Sequence, residues 1–164
     1  MRAIWCTAGL LLAAAILQAN ACDEGRALFL AKDYSAAQGP LWHCLMAGTS
    51  DKEFAHQLTL TYRDLKNYDS GIKRAESALV SNPKSEDILY ILGFLQFRLG
   101  HHNESIRHLG QAYRLDPDDW RVYQLFALNY VVLDIKDGAL ESFQNAIRLN
   151  PQNAELWYQL ARFY

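Results

Sequence analysis

The chain has 164 residues, of which 51% are hydrophobic and 21% charged, and its formal net charge is −2. That balance excludes a disordered polypeptide. The lack of any basic stripe or polybasic cluster argues against nucleic-acid binding and against adhesion to an anionic membrane surface. With four prolines, nine glycines and no low-complexity tract, no long flexible linker is expected. Leu and Ala are abundant and β-branched runs are scarce, which points to an all-α protein.

The first element, residues 1–21, reads as a secretory signal peptide. Arg2 precedes an apolar run from Ala3 to Leu17, and Ala19, Asn20 and Ala21 form a small-x-small cleavage site. The run is shorter than the ~20 residues of a spanning helix, so an uncleaved anchor is the weaker alternative. The expected location is therefore exported, periplasmic or secreted. Cleavage after Ala21 removes Cys6 and leaves Cys22 and Cys44. Two fates compete for Cys22. The stretch "ANAC" loosely resembles a lipobox, which would make the chain a lipoprotein anchored at Cys22, the one route by which a membrane becomes a partner. The other fate is a Cys22–Cys44 disulfide, consistent with an even cysteine count in an oxidising compartment.

Further along, the sequence repeats itself. "ALVSNPKSEDIL" begins at Ala78, "AYRLDPDDWRVY" at Ala112 and "AIRLNPQNAELW" at Ala146, each 34 residues after the last. Pro83, Pro117 and Pro151 share that interval. Each ends one amphipathic stretch, and a following Ser, Asp or Asn can cap the next. Between the prolines, "LKNYDSG" from Leu65, "LGHHNES" from Leu99 and "LDIKDGA" from Leu133 supply turn residues at the same spacing. Each period thus predicts two helices of about 13 residues joined by a tight turn.

Numbering each repeat from Lys52, Glu86, Trp120 and Ala154, the fourth position holds Ala55, Leu89, Tyr123 and Trp157. The seventh holds Leu58, Leu92, Phe126 and Leu160. The eighth holds Thr59, Gly93, Ala127 and Ala161, and the eleventh Tyr62, Gln96, Tyr130 and Tyr164. Small residues return in the second helix at Gly71, Ser105 and Ala139, and again at Ala78, Ala112 and Ala146. Small positions let antiparallel helices approach, and large ones fill the space between. A period of 34 built from two helices resembles the tetratricopeptide repeat. The resemblance covers nearly all of the chain after residue 21. It departs from the family pattern at Ala55, Thr59, Ala75 and Gln96.

The resemblance implies an all-α, right-handed superhelical α-solenoid of antiparallel helix pairs. Its expected divisions are a degenerate N-terminal hairpin (22–51), three repeats (52–85, 86–119 and 120–153) and the start of a further repeat or terminal helix (154–164). The frame places Cys44 at the small twenty-seventh position and Cys22 early in a shortened first helix, so the two face each other across the hairpin. It also implies a non-enzymatic scaffold that holds a protein or peptide partner in a concave groove. The expected lining is Tyr90, Phe94, Phe97, Arg98, Arg121, Gln124, Leu128 and Val131. The Lys/Asn/Arg clamp with which some family members hold an acidic C-terminus is missing, since His56, Leu60, Ile91 and Leu125 stand at its positions. In the last segment Trp157, Leu160 and Tyr164 form an apolar docking face, through which the chain could self-associate or join a larger repeat protein of which it is a subunit or fragment.

Other sites for chemistry are weak. His101, His102 and His108 lack a completing carboxylate or Cys, so no metal is expected. His43 and Cys44 are adjacent and point about 100° apart on a helix, which argues against a catalytic pair. The "NES" at Asn103 is a glycosylation sequon in an exposed turn. No catalytic residue, cofactor or small-molecule substrate is expected.

Overall fold

The computed structural model describes residues 21–48 and 52–164. The signal-peptide reading of the N-terminus rests on residues outside this range, apart from Ala21. Every regular element among the described residues is an α-helix: α1 over residues 21–30, α2 Tyr34–Met46, α3 Lys52–Leu65, α4 Tyr68–Ser81, α5 Glu86–Arg98, α6 His102–Leu115, α7 Trp120–Val132, α8 Lys136–Leu149 and α9 Ala154–Phe163. The chain divides into two compact units, one ending at Lys66 and the other running Asn67–Tyr164.

Two local devices, each repeated at the sequence period, set the helix boundaries. The first helix of each later repeat is capped two residues after its proline. Ser85 Oγ accepts from Ile88 N at 3.3 Å, Asp119 Oδ1 from Arg121 N at 2.9 Å and Asn153 Oδ1 from Glu155 N at 3.0 Å. The helices α1, α3, α5 and α7 each end on a left-handed residue. Lys32, Lys66, Gly100 and Asp134 have φ of 61°, 55°, 79° and 57°. At Gly100 and Asp134 the closure is a Schellman motif. His101 N donates to Gln96 O and Ile135 N to Tyr130 O, both at 2.9 Å. Only one of the four sites carries glycine, so three side chains bear the left-handed strain.

In the N-terminal unit α2 packs on α3. Ala37, Leu41, Trp42, Cys44 and Leu45 are buried on α2, and Phe54, Ala55, Leu58 and Tyr62 on α3. Trp42 Nε1 donates to the buried Tyr62 Oη at 2.8 Å. Pro40 lies inside α2 rather than at its end. The disulfide joining Cys22 to Cys44, with Cα atoms 5.1 Å apart, ties α1 to this helix. Thr59, an odd residue for a small position, turns its hydroxyl back onto His56 O at 2.7 Å.

In the C-terminal unit α5 pairs with α6 and α7 with α8. Gly93 is small of necessity, because a Cβ there would lie 2.7 Å from both Cγ and Cδ2 of Leu109. Ala127, Ala139 and Ala146 are likewise fully buried. Gln96 occupies a large-residue position, and His108 completes it. His108 Nδ1 donates to Gln96 Oε1 at 2.7 Å while its Nε2 accepts from Arg107 at 3.0 Å. Burial, aided by the Arg107 charge and opposed by Glu104, holds this imidazole below its ordinary value.

Candidate interaction site

The first helices of successive repeats lie side by side in the C-terminal unit, and two bonds fix their register. Arg121 Nη2 on α7 reaches Asp87 Oδ1 on α5, 34 residues earlier, at 2.8 Å. Gln124 Nε2 on α7 donates to Gln159 Oε1 on α9 at 3.0 Å, and Gln159 in turn donates to Glu155 at 2.8 Å. Equivalent positions on α5 and α7 are therefore neighbours, and the predicted lining residues fall on one continuous surface.

That surface separates into two kinds of residue. Tyr90 and Arg121 are only 3% and 2% exposed. The Arg121 guanidinium sits 4.5 Å above the Tyr90 ring. Its Nε bonds both Asp119 oxygens, at 2.9 and 3.0 Å, and Nη2 bonds Asp119 Oδ2 at 2.6 Å. Burial alone would lower its pKa, but the hydrogen bonds and charge of Asp119, with Tyr90 and Asp87, carry it above the ordinary arginine value. These two side chains brace α5 against α7 and present almost no surface to a ligand.

The remaining positions are accessible. Phe94, Phe97, Gln124 and Leu128 are half-buried, and Val131 and Val132 are 41% and 57% exposed. Phe97 meets the His102 ring edge-on at 5.7 Å. Arg98 stacks over Tyr68 at 5.5 Å and donates from Nε to its hydroxyl at 3.2 Å, so it forms one edge of the surface. The result is an apolar strip at the ninth, twelfth and thirteenth helix positions above a charged, buried brace.

Of the C-terminal docking residues, Trp157 and Tyr164 are exposed and Leu160 is half-buried, packed beside the buried Ala146, Ile147 and Leu156. Trp157 is not loose, since its Nε1 donates to Pro151 O at 2.9 Å. Two of the three candidate histidines, His102 and His108, are held in hydrogen bonds within the fold. His102 Nδ1 donates to Asn129 Oδ1 at 3.0 Å, and Asn129, fully buried, also bonds Ser105 Oγ and Leu125 O at 2.9 and 2.8 Å. Ser105 passes the chain on to Gly93 O at 2.7 Å. No group of three or more metal-binding side chains converges among the described residues. None of the described helices is long and apolar enough to cross a membrane. The Asn129 network escaped sequence reading. Its one signal is a polar side chain between the packing residues Phe126, Ala127 and Tyr130.

Comparison with known proteins agrees with the geometry. Tetratricopeptide-repeat models match residues 86–119 and 142–164. The structure superimposes on a thermophilic tetratricopeptide-repeat protein of Thermus thermophilus with a TM-score of 0.72 at 20% identity, covering 90% of this chain and 81% of that one. The fold is a tetratricopeptide-repeat solenoid. MamA from Desulfovibrio magneticus RS-1 gives a TM-score of 0.62 at 17% identity, with 89% and 82% covered. YrrB, a tetratricopeptide-repeat protein with an unusual peptide-binding site, gives 0.61 at 16%, with 82% and 70% covered. In sequence, 117 residues are 26% identical to an N-terminal acetyltransferase A complex subunit-like protein of Schizosaccharomyces pombe, covering 71% of this chain and 17% of that protein. A further 24% identity over 123 residues relates it to BBSome complex member BBS4 of Bos taurus, covering 74% and 24%. The chain spans less than a third of the length of the curated relatives it matches. A repeat solenoid of this kind is consistent with a protein–protein interaction scaffold.

Proposed function

We propose that the chain is an exported scaffold that holds a protein or peptide partner on the apolar strip of α5 and α7. The observation that carries this reading is the run of Phe94, Phe97, Leu128, Val131 and Val132 along neighbouring helices, accessible while Tyr90 and Arg121 beneath it are locked. Apolar anchors on a rigid face suit an amphipathic helix or an extended peptide. Export is supported by the sequence pattern of residues 1–21 and by the bridged pair Cys22–Cys44. A Cys22 bound to Cys44 has no thiol left for a lipid. Edman sequencing of the mature protein that begins at an unacylated Cys22 would support export as a soluble form, and an acylated N-terminus would end it.

The binding test is cross-linking in the native host followed by identification of what co-purifies. Parent protein is compared with Phe94→Ala/Phe97→Ala and with Val131→Ser/Val132→Ser, whose valines contribute little to the core. Loss of one partner from both folded variants is the expected outcome. Its retention by both would refute the strip as the binding face.

The exposed Trp157 and Tyr158 on α9, with Tyr164 at its C-cap, favour a second reading, in which the chain is a subunit or section of a larger repeat assembly and joins it through that helix. Under this reading Trp157→Ala abolishes the assembly and Phe94→Ala/Phe97→Ala leaves it intact.

A further inference from the structure

On the other side of α7 from the apolar strip, a groove of about 560 Å³ opens between α6, α7 and α8. Its volume lies in the range of small-ligand sites. One wall is the aromatic stripe Tyr123, Phe126 and Tyr130 of α7. The opposite wall is the polar stripe Glu141, Ser142 and Asn145 of α8. Tyr113 of α6 closes one end and is 40% exposed. Its ring stands at 78° to that of Tyr123, with centroids 5.8 Å apart. Phe126 and Tyr130 stack at 6.0 Å and 10°. Glu141 is exposed, and among the described residues no cation pairs with it.

We infer that this groove receives an arginine side chain of a partner polypeptide, with the guanidinium over the Tyr113 and Tyr123 rings and Glu141 as counter-charge. Four observations select this occupant. Ring faces attract a cation, and two nearly perpendicular rings offer it both a face and a hydroxyl edge. A purely apolar side chain would leave Glu141 and Asn145 without partners, and an acidic one would meet Glu141 as a like charge. A planar group with five N–H donors can lie flat on a ring while it serves the carboxylate, the Asn145 amide oxygen and a tyrosine hydroxyl, whereas an ammonium is a compact, strongly hydrated point charge with no face to stack. The protein already uses the same grouping internally, where Arg121 lies on Tyr90 between the carboxylates of Asp87 and Asp119.

The test is NMR of the full chain with tyrosine ring protons assigned. The probe is the tripeptide acetyl-Ala-Arg-Ala-amide, compared with its neutral citrulline counterpart. The arginine probe is expected to shift the Tyr113 and Tyr123 rings at millimolar concentration, and citrulline to bind roughly three- to fivefold more weakly, the scale of one exposed cation–ring contact. Glu141→Gln, a surface change that leaves the rings in place, should weaken the arginine probe by a similar factor. Equal shifts with both probes, silence of both rings at roughly 10 mM arginine probe, or an unchanged Glu141→Gln would each overturn the inference. Shifts confined to Phe94 and Phe97 would overturn it too, by placing the arginine on the strip instead.

Discussion

Replacing Arg121 with Met is the sharpest test of how the repeats are braced. The substitution keeps an unbranched chain over the Tyr90 ring but removes the charge that two carboxylates share. Asp119 is 1% exposed in its side chain and Asp87 12%. Removing one partner of a buried ionic cluster costs about 3–5 kcal/mol, because the remaining charge is left in a poor solvent. The lower end applies here. Asp119 keeps its capping bond to the backbone N–H of residue 121, and Asp87 lies near enough to water to rehydrate. For a chain of this length 1 kcal/mol moves the midpoint by roughly 2–4 °C, so Arg121→Met should lower Tm by about 6–12 °C in a far-UV circular dichroism melt. A triple variant, Asp87→Leu/Arg121→Met/Asp119→Ser, removes all three charges and retains an N-cap hydroxyl. It should recover most of the loss, to within about 2 kcal/mol of the parent. A single variant melting within about 2 °C of the parent would refute the reasoning. Arg121 would then be no brace, and its assignment to ligand contact would return.

Three further outcomes follow from the same structure. His108 is held neutral, so the unfolded chain takes up its proton first as pH falls. Stability is full above the ordinary imidazole value near 6.5 and is lost progressively below it, and urea midpoints at pH 8 and pH 5 should differ by less in His108→Gln than in the parent. The disulfide spans a sequence separation of 22. Breaking it with Cys22→Ser/Cys44→Ser should cost about 3 kcal/mol in denaturant unfolding, with no further effect of reductant on the variant. Two glycines of one repeat should fail for opposite reasons. Gly100→Ala meets nothing within 4 Å but must hold φ near 79°, at a cost of about 1 kcal/mol, whereas Gly93→Ala drives a methyl into Leu109 and costs about 1–3 kcal/mol. A smaller loss at Gly93 than at Gly100 would show that α5 and α6 have room to separate.

The amino-acid sequence by itself determined the period, the helix-pair architecture and the capping scheme. Those properties are local. Pro83, Pro117 and Pro151 interrupt the backbone wherever they stand, Ser85, Asp119 and Asn153 reach only two or three residues ahead, and the small eighth position shows as a gap on one helix face. What the sequence could not reveal is which face residues are spent between repeats. Tyr90 and Arg121 occupy positions equivalent to open ones, yet they are buried because Asp87 on the neighbouring helix and Asp119 in the preceding turn converge on the guanidinium. Gln96 looks like a defect until His108 arrives from α6, and Asn129 looks like a surface residue until Ser105 and His102 enclose it. The aromatic–carboxylate groove needs three helices to exist at all. Polar side chains take their meaning from partners 12 to 34 residues away, and only the packing of one helix on the next brings those partners within hydrogen-bond reach.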